Sequence, residues 1–144
     1  APLEGLIENA LDGGGRLVSG GKAIEADGYF FEPTVLADVP ESARVMNEEP
    51  LGPLALLNSF TSTDEVIARA NRLPFGLAAY AFTRSTDVVR RVSQEVEAGM
   101  LAINSFMISV PDAPFLGVKE SGHGAENGIE GLEACLVTKL VSLA

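Results

Sequence analysis

LALLNSFTSTDEVIARANRLPFGLAAYAFTRSTDVVRRVSQEVEAGMLAI, residues 54–103, carries the clearest periodicity in the sequence. Three apolar runs, Leu54 to Phe60, Leu77 to Phe82 and Met100 to Ile103, alternate with two segments whose apolar residues recur at helical spacing. This alternation is typical of a β-α-β-α-β order, in which each helix connects two parallel strands. The sequence therefore predicts an α/β fold built on a parallel β-α-β sheet.

Both helices of this stretch have recognisable ends. Ser62 and Glu65 match a capping box at the start of the first helix. The second helix is expected to begin near Ser85 to Asp87 and to end before Gly99. The residues expected to face the interior are Val66, Ile67 and Ala70 in the first helix and Val88, Val89, Val92 and Val96 in the second.

The patterns upstream of residue 54 are shorter. Apolar residues at helical spacing from Leu3 to Leu11 predict a helix that stops at the glycines 13–15. Two β-leaning runs, Arg16 to Val18 and Tyr29 to Val35, predict a pair of short strands. Asn47 to Pro53 is then expected to be an acidic loop bounded by proline.

Downstream of residue 103 the periodicity disappears. Proline and glycine interrupt the segment from Asn104 to Gly128, and a loop of that length is usually functional or disordered. A last helix is expected around Ile129, Leu132 and Leu136, followed by a terminal strand from Val137 to Leu143.

Composition excludes several classes of function. Ten basic and twenty acidic residues in 144 give a formal charge of -10, so neither nucleic acid nor an anionic membrane is an expected partner. No apolar run approaches the roughly 20 residues that span a bilayer. The single cysteine, Cys135, fits a reducing compartment such as the cytoplasm. Its helical spacing from Ile129 and Leu132 predicts a buried small hydrophobe rather than a nucleophile.

Residues that could carry metal or phosphate chemistry are sparse. The lone histidine, His123, has no second metal-type ligand at a recognisable spacing, which indicates a loop residue. The glycine-rich stretches at 13–15, 20–22 and 122–124 do not lie between a clear strand and a helix, so they are interpreted as turns.

The acidic pair Glu48-Glu49 precedes Pro50-Leu51-Gly52-Pro53. A carboxylate held on such a loop can accept hydrogen bonds from both hydroxyls of a ribose diol. Taken alone, an acidic pair in a loop is usually a solvated surface feature. Spacing alone leaves both interpretations open.

Five segments, in order, resemble the aldehyde dehydrogenase superfamily, with closest similarity to its succinate-semialdehyde dehydrogenase branch. The resemblance implies that residues 1–136 are part of a catalytic domain and that 137–144 form a strand that pairs with another subunit. The five segments are GYFFEPTV (28–35), EEPLGP (48–53), ANRLPFGLAAY (70–80), PFLGVKESG (114–122), and GLE (131–133) with Lys139.

The resemblance also implies roles for individual residues. Glu49 matches a glutamate that holds the nicotinamide ribose of NAD or NADP, and Leu51 lies where the family usually has a phenylalanine against the nicotinamide. Phe115 matches a residue of the aldehyde tunnel. Ser109, five residues after Asn104, matches a serine that helps to bind a substrate carboxylate.

The sequence departs from the family pattern in informative ways. Leu116 stands where a glycine is usual, and Ala125 stands where an arginine is common, so the geometry of this loop is in question. The family's cysteine nucleophile in Gly-Gln-x-Cys, its glutamate in Glu-Leu-Gly-Gly and its dinucleotide-binding domain have no counterpart in these residues. We therefore expect no catalytic residue in this chain.

Three hypotheses follow. The first is the C-terminal segment of a cytoplasmic, oligomeric NAD(P)-dependent enzyme that oxidises a small aldehyde, inert by itself. The second is a truncated, non-catalytic module that pairs through Val137 to Leu143. The third is a free-standing phosphate-binding domain, which tight binding of NAD(P) by the chain alone would support.

Overall fold

A computed structural model describes residues 2–143, and of Pro2 only the backbone. The chain divides into two compact units, one ending at Phe60 and the other beginning at Thr61. Of the predicted terminal strand 137–144, Ala144 lies outside the described residues.

The first unit contains one helix and a three-stranded sheet. Helix α1 spans Pro2–Asp12, and the strands are β1 (Arg16–Ser19), β2 (Thr34–Ala37) and β3 (Leu54–Leu57). Strand β2 is central, antiparallel to β1 and parallel to β3. The predicted helix and the strand at Arg16 to Val18 are thus confirmed.

The predicted strand at Tyr29 to Val35 is largely wrong. Phe31 forms only an isolated bridge with Ala23, and regular pairing begins at Thr34. Pro33 has no N–H to donate to a strand ladder, which separates the two parts of this apolar run.

The core of the first unit forms where α1 packs against the sheet. Ala10 and Leu36 are fully buried, so helix and central strand share one interior. Thr34 is the buried polar residue of this region; its hydroxyl donates to Glu32 O and accepts from Gly21 N, both at 2.8 Å. The remaining buried members of the core are Leu6, Ile7, Val39, Ala43 and Val45.

The second unit contains three helices and short strands. The elements are α2 (Thr63–Ala70), β4 (Phe75–Gly76), β5 (Ala78–Ala81), α3 (Thr86–Glu95), β6 (Met100–Ile103), β7 (Phe115–Leu116), β8 (Val118–Lys119), β9 (Ala125–Glu126) and α4 (Gly128–Glu133). Strand β5 lies parallel to β6, with Ala78 opposite Met100 and Ala81 opposite Ile103, and helix α3 connects them. Two antiparallel pairs, β4 with β8 and β7 with β9, join distant segments.

The α/β class is confirmed, but one continuous parallel sheet is not. The second predicted β-α-β unit forms the parallel pair β5–β6, whereas β3, the first strand of the alternation, pairs with β2 instead. The segment from Asn104 to Gly128, predicted to be a long loop, contains strands β7, β8 and β9. The prediction that this segment lacks regular structure is therefore wrong in part. Two-residue strands are too short to show a period in the sequence.

The helix starts agree with the capping signals. Ser62 Oγ accepts from Glu65 N at 3.2 Å, and the Glu65 carboxylate accepts from Thr61 N and Oγ1 at 2.9 and 2.7 Å. These bonds from Thr61 lower the pKa of Glu65. Of the residues predicted to face inward, Ile67 is buried and Val66 half-buried, whereas Ala70, the last residue of α2, is exposed.

Helix α3 begins at the Ser85 cap, whose Oγ accepts from Val88 N at 3.3 Å. Its inward-facing residues agree with the prediction, because Val92 is buried and Val88, Val89 and Val96 are half-buried. Arg91 on α3 pairs with Asp64 on α2 at 2.6 Å, which ties the two helices together.

The C-terminal part differs from the prediction. Helix α4 ends at Glu133, so Cys135 lies in the following turn and is exposed, contrary to the expected burial. Residues 136–143 have no regular secondary structure, so the single chain does not by itself form the predicted strand from Val137 to Leu143. Among residues 2–143, no helix combines the length and apolar character that a bilayer crossing needs.

Candidate functional site

The loop that precedes β3 is held in place by backbone and side-chain hydrogen bonds. Its first turn is a 3-10 helix, Arg44–Met46. Asn47 donates from Nδ2 to the carbonyls of Glu41 and Ala43, both at 2.8 Å. Arg44 N donates to Asn9 Oδ1 of α1, also at 2.8 Å. The loop is therefore fixed against the helix before it reaches the acidic pair.

Arg44 and Glu48 form a bidentate ion pair on this loop. Nε and Nη2 of Arg44 donate to the two carboxylate oxygens of Glu48 at 2.7 and 2.8 Å. Hydrogen bonding to Arg44 lowers the pKa of Glu48, and the same bonds raise the pKa of Arg44. Glu48 is thus ionised at neutral pH, and its charge is balanced locally.

Glu49 and Leu51 line the same cleft of the first unit. The cleft has a volume of about 690 Å³, and both side chains are exposed along it. Arg44 and Glu48 stand beside Glu49. Most of the remaining wall is apolar, formed by Leu3, Leu6, Ile24, Phe30 and Phe31.

The chemistry of this cleft fits a ligand with hydroxyl donors and an apolar face. Within residues 2–143, no hydrogen bond engages the Glu49 carboxylate, so both of its oxygens are available as acceptors. Arg44 is engaged by Glu48. A ribose diol is a matching donor pair, and Leu51 offers an aliphatic contact for an adjacent ring.

Phe115 belongs to the second unit and lies on β7. Its backbone is paired with Glu126 of β9, and its side chain is half-buried. The strand rests on a glycine: a Cβ at Gly99 would lie 2.1 Å from the Leu116 carbonyl oxygen. Only a residue without a side chain permits this approach of two backbones.

Ser109 also belongs to the second unit, in the irregular segment after β6. The segment begins at Asn104, whose side chain accepts from Thr83 N at 2.8 Å and donates to Thr83 O at 2.9 Å. Phe106 then packs against Phe82, with ring centroids 5.0 Å apart. Ser109 itself is exposed.

The two departures from the resemblance lie opposite each other. Leu116 is the register partner of Ala125 across β7 and β9. Leu116 has no positive φ, so the leucine requires no strained backbone at this position. The doubt that the sequence raised about Leu116 is thereby removed.

The four predicted site residues are thus distributed over both units. Glu49 and Leu51 share one cleft, while Phe115 and Ser109 lie in the unit that begins at Thr61. His123 lies exposed in a bend. Among residues 2–143, no group of histidine, cysteine and acidic side chains is arranged to hold a metal ion.

Two supporting residues were not identified in the sequence analysis, and only one of them has a local sequence signal. Arg44 lies four residues before Glu48, a spacing that indicates an ion pair in a helical turn. Lys119 belongs to the segment 114–122, but its ammonium donates to backbone carbonyls of residues more than forty positions earlier. Nothing local in the sequence signals those contacts.

The chain is similar to known proteins over nearly its whole length. The model of the aldehyde dehydrogenase family matches residues 1–141. The 4-(hydroxymethyl)benzenesulfonate dehydrogenase TsaD1 of Comamonas testosteroni is 49% identical over 141 residues, which cover 98% of this chain and 29% of that protein. The NADP(+) succinate-semialdehyde dehydrogenase GabD of Escherichia coli K12 is 46% identical over 143 residues, 99% of this chain and 30% of that protein.

A solved structure agrees with these relatives. The crystal structure of succinate-semialdehyde dehydrogenase from Burkholderia pseudomallei superposes with a TM-score of 0.87 at 44% identity, covering 91% of this chain and 27% of that one. The chain spans about 30% of the length of the curated relatives that it matches. A family match over residues 1–141, with relatives this similar along nearly the whole chain, means that the chain belongs to the aldehyde dehydrogenase family.

Proposed function

We propose that this chain acts as the C-terminal segment of the catalytic domain of an NAD(P)-dependent aldehyde dehydrogenase. The observation that carries the proposal is the shared cleft of Glu49 and Leu51 in a chain of this family. Residues 1–136 would belong to the catalytic domain, and 137–144 would pair with another subunit. We expect the assembled enzyme to be cytoplasmic, with neither nucleic acid nor a membrane as a partner.

Glu49 and Leu51 would bind the cofactor. The Glu49 carboxylate accepts hydrogen bonds from the two ribose hydroxyls, and Leu51 packs against the nicotinamide. When bound, the nicotinamide supplies the acceptor for the hydride that leaves the aldehyde carbon. Because Leu51 is aliphatic, it provides an apolar surface without aromatic stacking.

Phe115 and Ser109 would contact the aldehyde. Phe115 lines the substrate tunnel, and the Ser109 hydroxyl donates to an anionic group at the far end of the substrate. The compounds in the names of the relatives, 4-(hydroxymethyl)benzenesulfonate and succinate semialdehyde, both carry such a group. A small aldehyde with a carboxylate, such as succinate semialdehyde, is therefore the proposed substrate.

The chain alone is proposed to be inert. Covalent attack on the aldehyde requires a cysteine thiolate, and hydrolysis requires a base that activates water. The only cysteine, Cys135, lies in a turn after α4 in the second unit and is not among the residues that line the cleft of Glu49. Purified chain mixed with NAD(P)+ and succinate semialdehyde should form no NAD(P)H, and turnover that persists through purification would contradict this.

A chimera tests the proposed roles. The chain replaces the matching 143-residue segment of the Escherichia coli succinate-semialdehyde dehydrogenase, which supplies the remainder of the enzyme. The chimera should oxidise succinate semialdehyde with NADP+. A folded, oligomeric but inactive chimera would contradict the proposed function.

Glu49→Gln in this chimera isolates the ribose contact. The amide loses the charged acceptor, and KM for NADP+ should rise about 10-fold to 100-fold because hydrogen bonds to charged groups are the stronger ones. Glu8→Gln removes the same charge from an exposed position on α1 and should change KM less than twofold. Equal effects of the two substitutions would exclude the role of Glu49.

The alternative is a non-catalytic module that binds a partner through its C-terminal segment. Its specific support is the exposure of Val137, Leu140 and Leu143, which are 94%, 92% and 96% exposed in the single chain. An extended apolar segment of this kind can add a strand to the edge of another sheet. This alternative would be favoured if the isolated chain self-associates tightly and the chimera that contains the chain is inactive.

A further inference from the structure

Lys119 combines two unusual properties. Its backbone has φ of +55°, in the left-handed region that non-glycine residues rarely occupy. Its side chain is only 25% exposed, although lysine usually keeps its ammonium in water. A strained backbone persists where the surrounding contacts hold it, so the contacts of this side chain are informative.

The Lys119 ammonium has an acceptor for each of its three N–H groups. It donates to the carbonyls of Asn71 and Leu73 at 3.1 and 3.2 Å, and it pairs with the Glu97 carboxylate. Asn71 is the C-cap of α2. A cation at this position also interacts favourably with the carbonyl end of a helix.

Asn71 extends the contact from α2 to the end of α3. Its Nδ2 donates to Glu95 O at 2.7 Å, and its Oδ1 accepts from Glu97 N at 2.8 Å. The two helix ends and the Lys119 ammonium therefore form one network. Glu97 takes part through both its backbone and its side chain.

This network is continuous with the strand that carries Phe115. Two residues after Glu97 comes Gly99, against which the Leu116 carbonyl rests. Lys119 lies three residues after Leu116, on β8, where its backbone is paired with Phe75 of the antiparallel strand β4. The segment 115–119 is thus held at Leu116 by its close contact with Gly99 and at its last residue by the contacts of the Lys119 ammonium.

We infer that Lys119 is a positioning residue that holds β7, and with it Phe115, at the wall of the aldehyde site. The inference rests on the proposed function, because Phe115 is assigned to the substrate there. The ammonium touches neither substrate nor cofactor; it acts through Glu97, Gly99 and the backbone of 115–119. Its removal should affect aldehyde binding and leave the cofactor cleft of the first unit unchanged.

The kinetic test uses the chimera described above. Lys119→Met keeps most of the length of the side chain and removes the charge. KM for the aldehyde should rise about tenfold, because small misplacements of a substrate contact have effects of this size or larger. KM for NADP+ should stay within twofold. Lys22→Met, which removes the charge of an exposed lysine in the first unit, should change neither constant.

Lys119→Gly separates the ammonium from the backbone. Glycine accepts positive φ without strain, so this variant relieves the backbone but also lacks the cation. It should behave like Lys119→Met. Wild-type kinetics for Lys119→Gly would overturn the inference, and so would a Lys119→Met variant in which both KM values and kcat change in parallel, since that indicates a general loss of folding.

Hydrogen exchange of the 144-residue chain provides a readout independent of activity. In Lys119→Met the amides of Gly76 and Glu120, which donate to Ser121 Oγ and Pro74 O, should exchange at least tenfold faster. The amides of β2 should not change. Unchanged exchange at Gly76 and Glu120 would overturn the inference about Lys119. A chimera without substitutions that is inactive would instead contradict the proposed function, and the exchange result would then decide on Lys119 by itself.

Discussion

Arg44 grips both carboxylate oxygens of Glu48, one residue before Glu49, at distances of 2.7 and 2.8 Å. The two glutamates of the acidic pair therefore differ in their contacts. The charge of Glu48 is balanced by the Arg44 guanidinium, whereas the Glu49 carboxylate remains available to accept hydrogen bonds in the cleft. An arginine four residues upstream thus distinguishes two carboxylates that look equivalent in the sequence.

Arg44→Met should raise the pKa of Glu48 toward its ordinary value of 4.5, because the variant loses the hydrogen bonds that lower it. In the wild type the pKa of Glu48 in the folded chain lies below its ordinary value. The ion pair therefore stabilises the fold fully at pH values above the ordinary pKa, and this stabilisation is lost as the pH falls through the pKa of the folded state. The stability difference between wild type and variant should therefore disappear in acid, and it should be small because the pair is exposed.

The pKa of Glu48 can be measured by NMR titration of its carboxyl carbon. Arg84→Met, at an exposed position in the second unit, is the matched control and should leave the Glu48 titration unchanged. Identical Glu48 titrations in wild type and Arg44→Met would refute the ion pair.

Leu36→Ala should lower the free energy of unfolding of the chain by about 2–5 kcal/mol, because Leu36 is fully buried between α1 and the sheet. Leu57→Ala, on the neighbouring strand at 58% exposure, should cost less than about 1 kcal/mol. Urea denaturation followed by circular dichroism measures both. Similar losses for the two variants would mean that Leu36 is not the centre of the core.

Gly99→Ala should destabilise the chain by about 1–3 kcal/mol, because its Cβ would lie 2.1 Å from the Leu116 carbonyl oxygen and force β7 to move. Gly5→Ala in α1 is the opposite case: no atom lies within 4 Å of the added Cβ, and stability should rise by up to about 1 kcal/mol. Thermal unfolding of both variants shows whether each substitution raises or lowers the stability of the chain. A neutral Gly99→Ala would contradict the close backbone approach.

Leu140→Lys should weaken self-association of the chimera, because it introduces a charge into the segment proposed to pair with another subunit, at a side chain that is 92% exposed in the single chain. Sedimentation velocity should then detect smaller species at micromolar concentration. Ser93→Lys, at an exposed position on α3, is the control for added charge. An unchanged oligomer in Leu140→Lys would argue against pairing through this segment.

Features that depend on neighbouring residues could be predicted from the sequence. Strand β6 occupies Met100–Ile103 as expected, and α3 starts at the Ser85 cap and buries Val92. The serine cap and the spacing of the valines act within a few residues, so a linear pattern contains them completely.

Features that depend on distant residues could not be predicted in this way. The sequence alone determined the α/β character, the helices and the acidic loop that carries Glu49. Only the tertiary structure decided that β3 pairs with β2, that Cys135 is exposed, and that Lys119 reaches Asn71 across 48 positions. Strand pairing and capping by a distant cation are selected by packing and by the closure of long loops, and these free energies leave no period in the sequence.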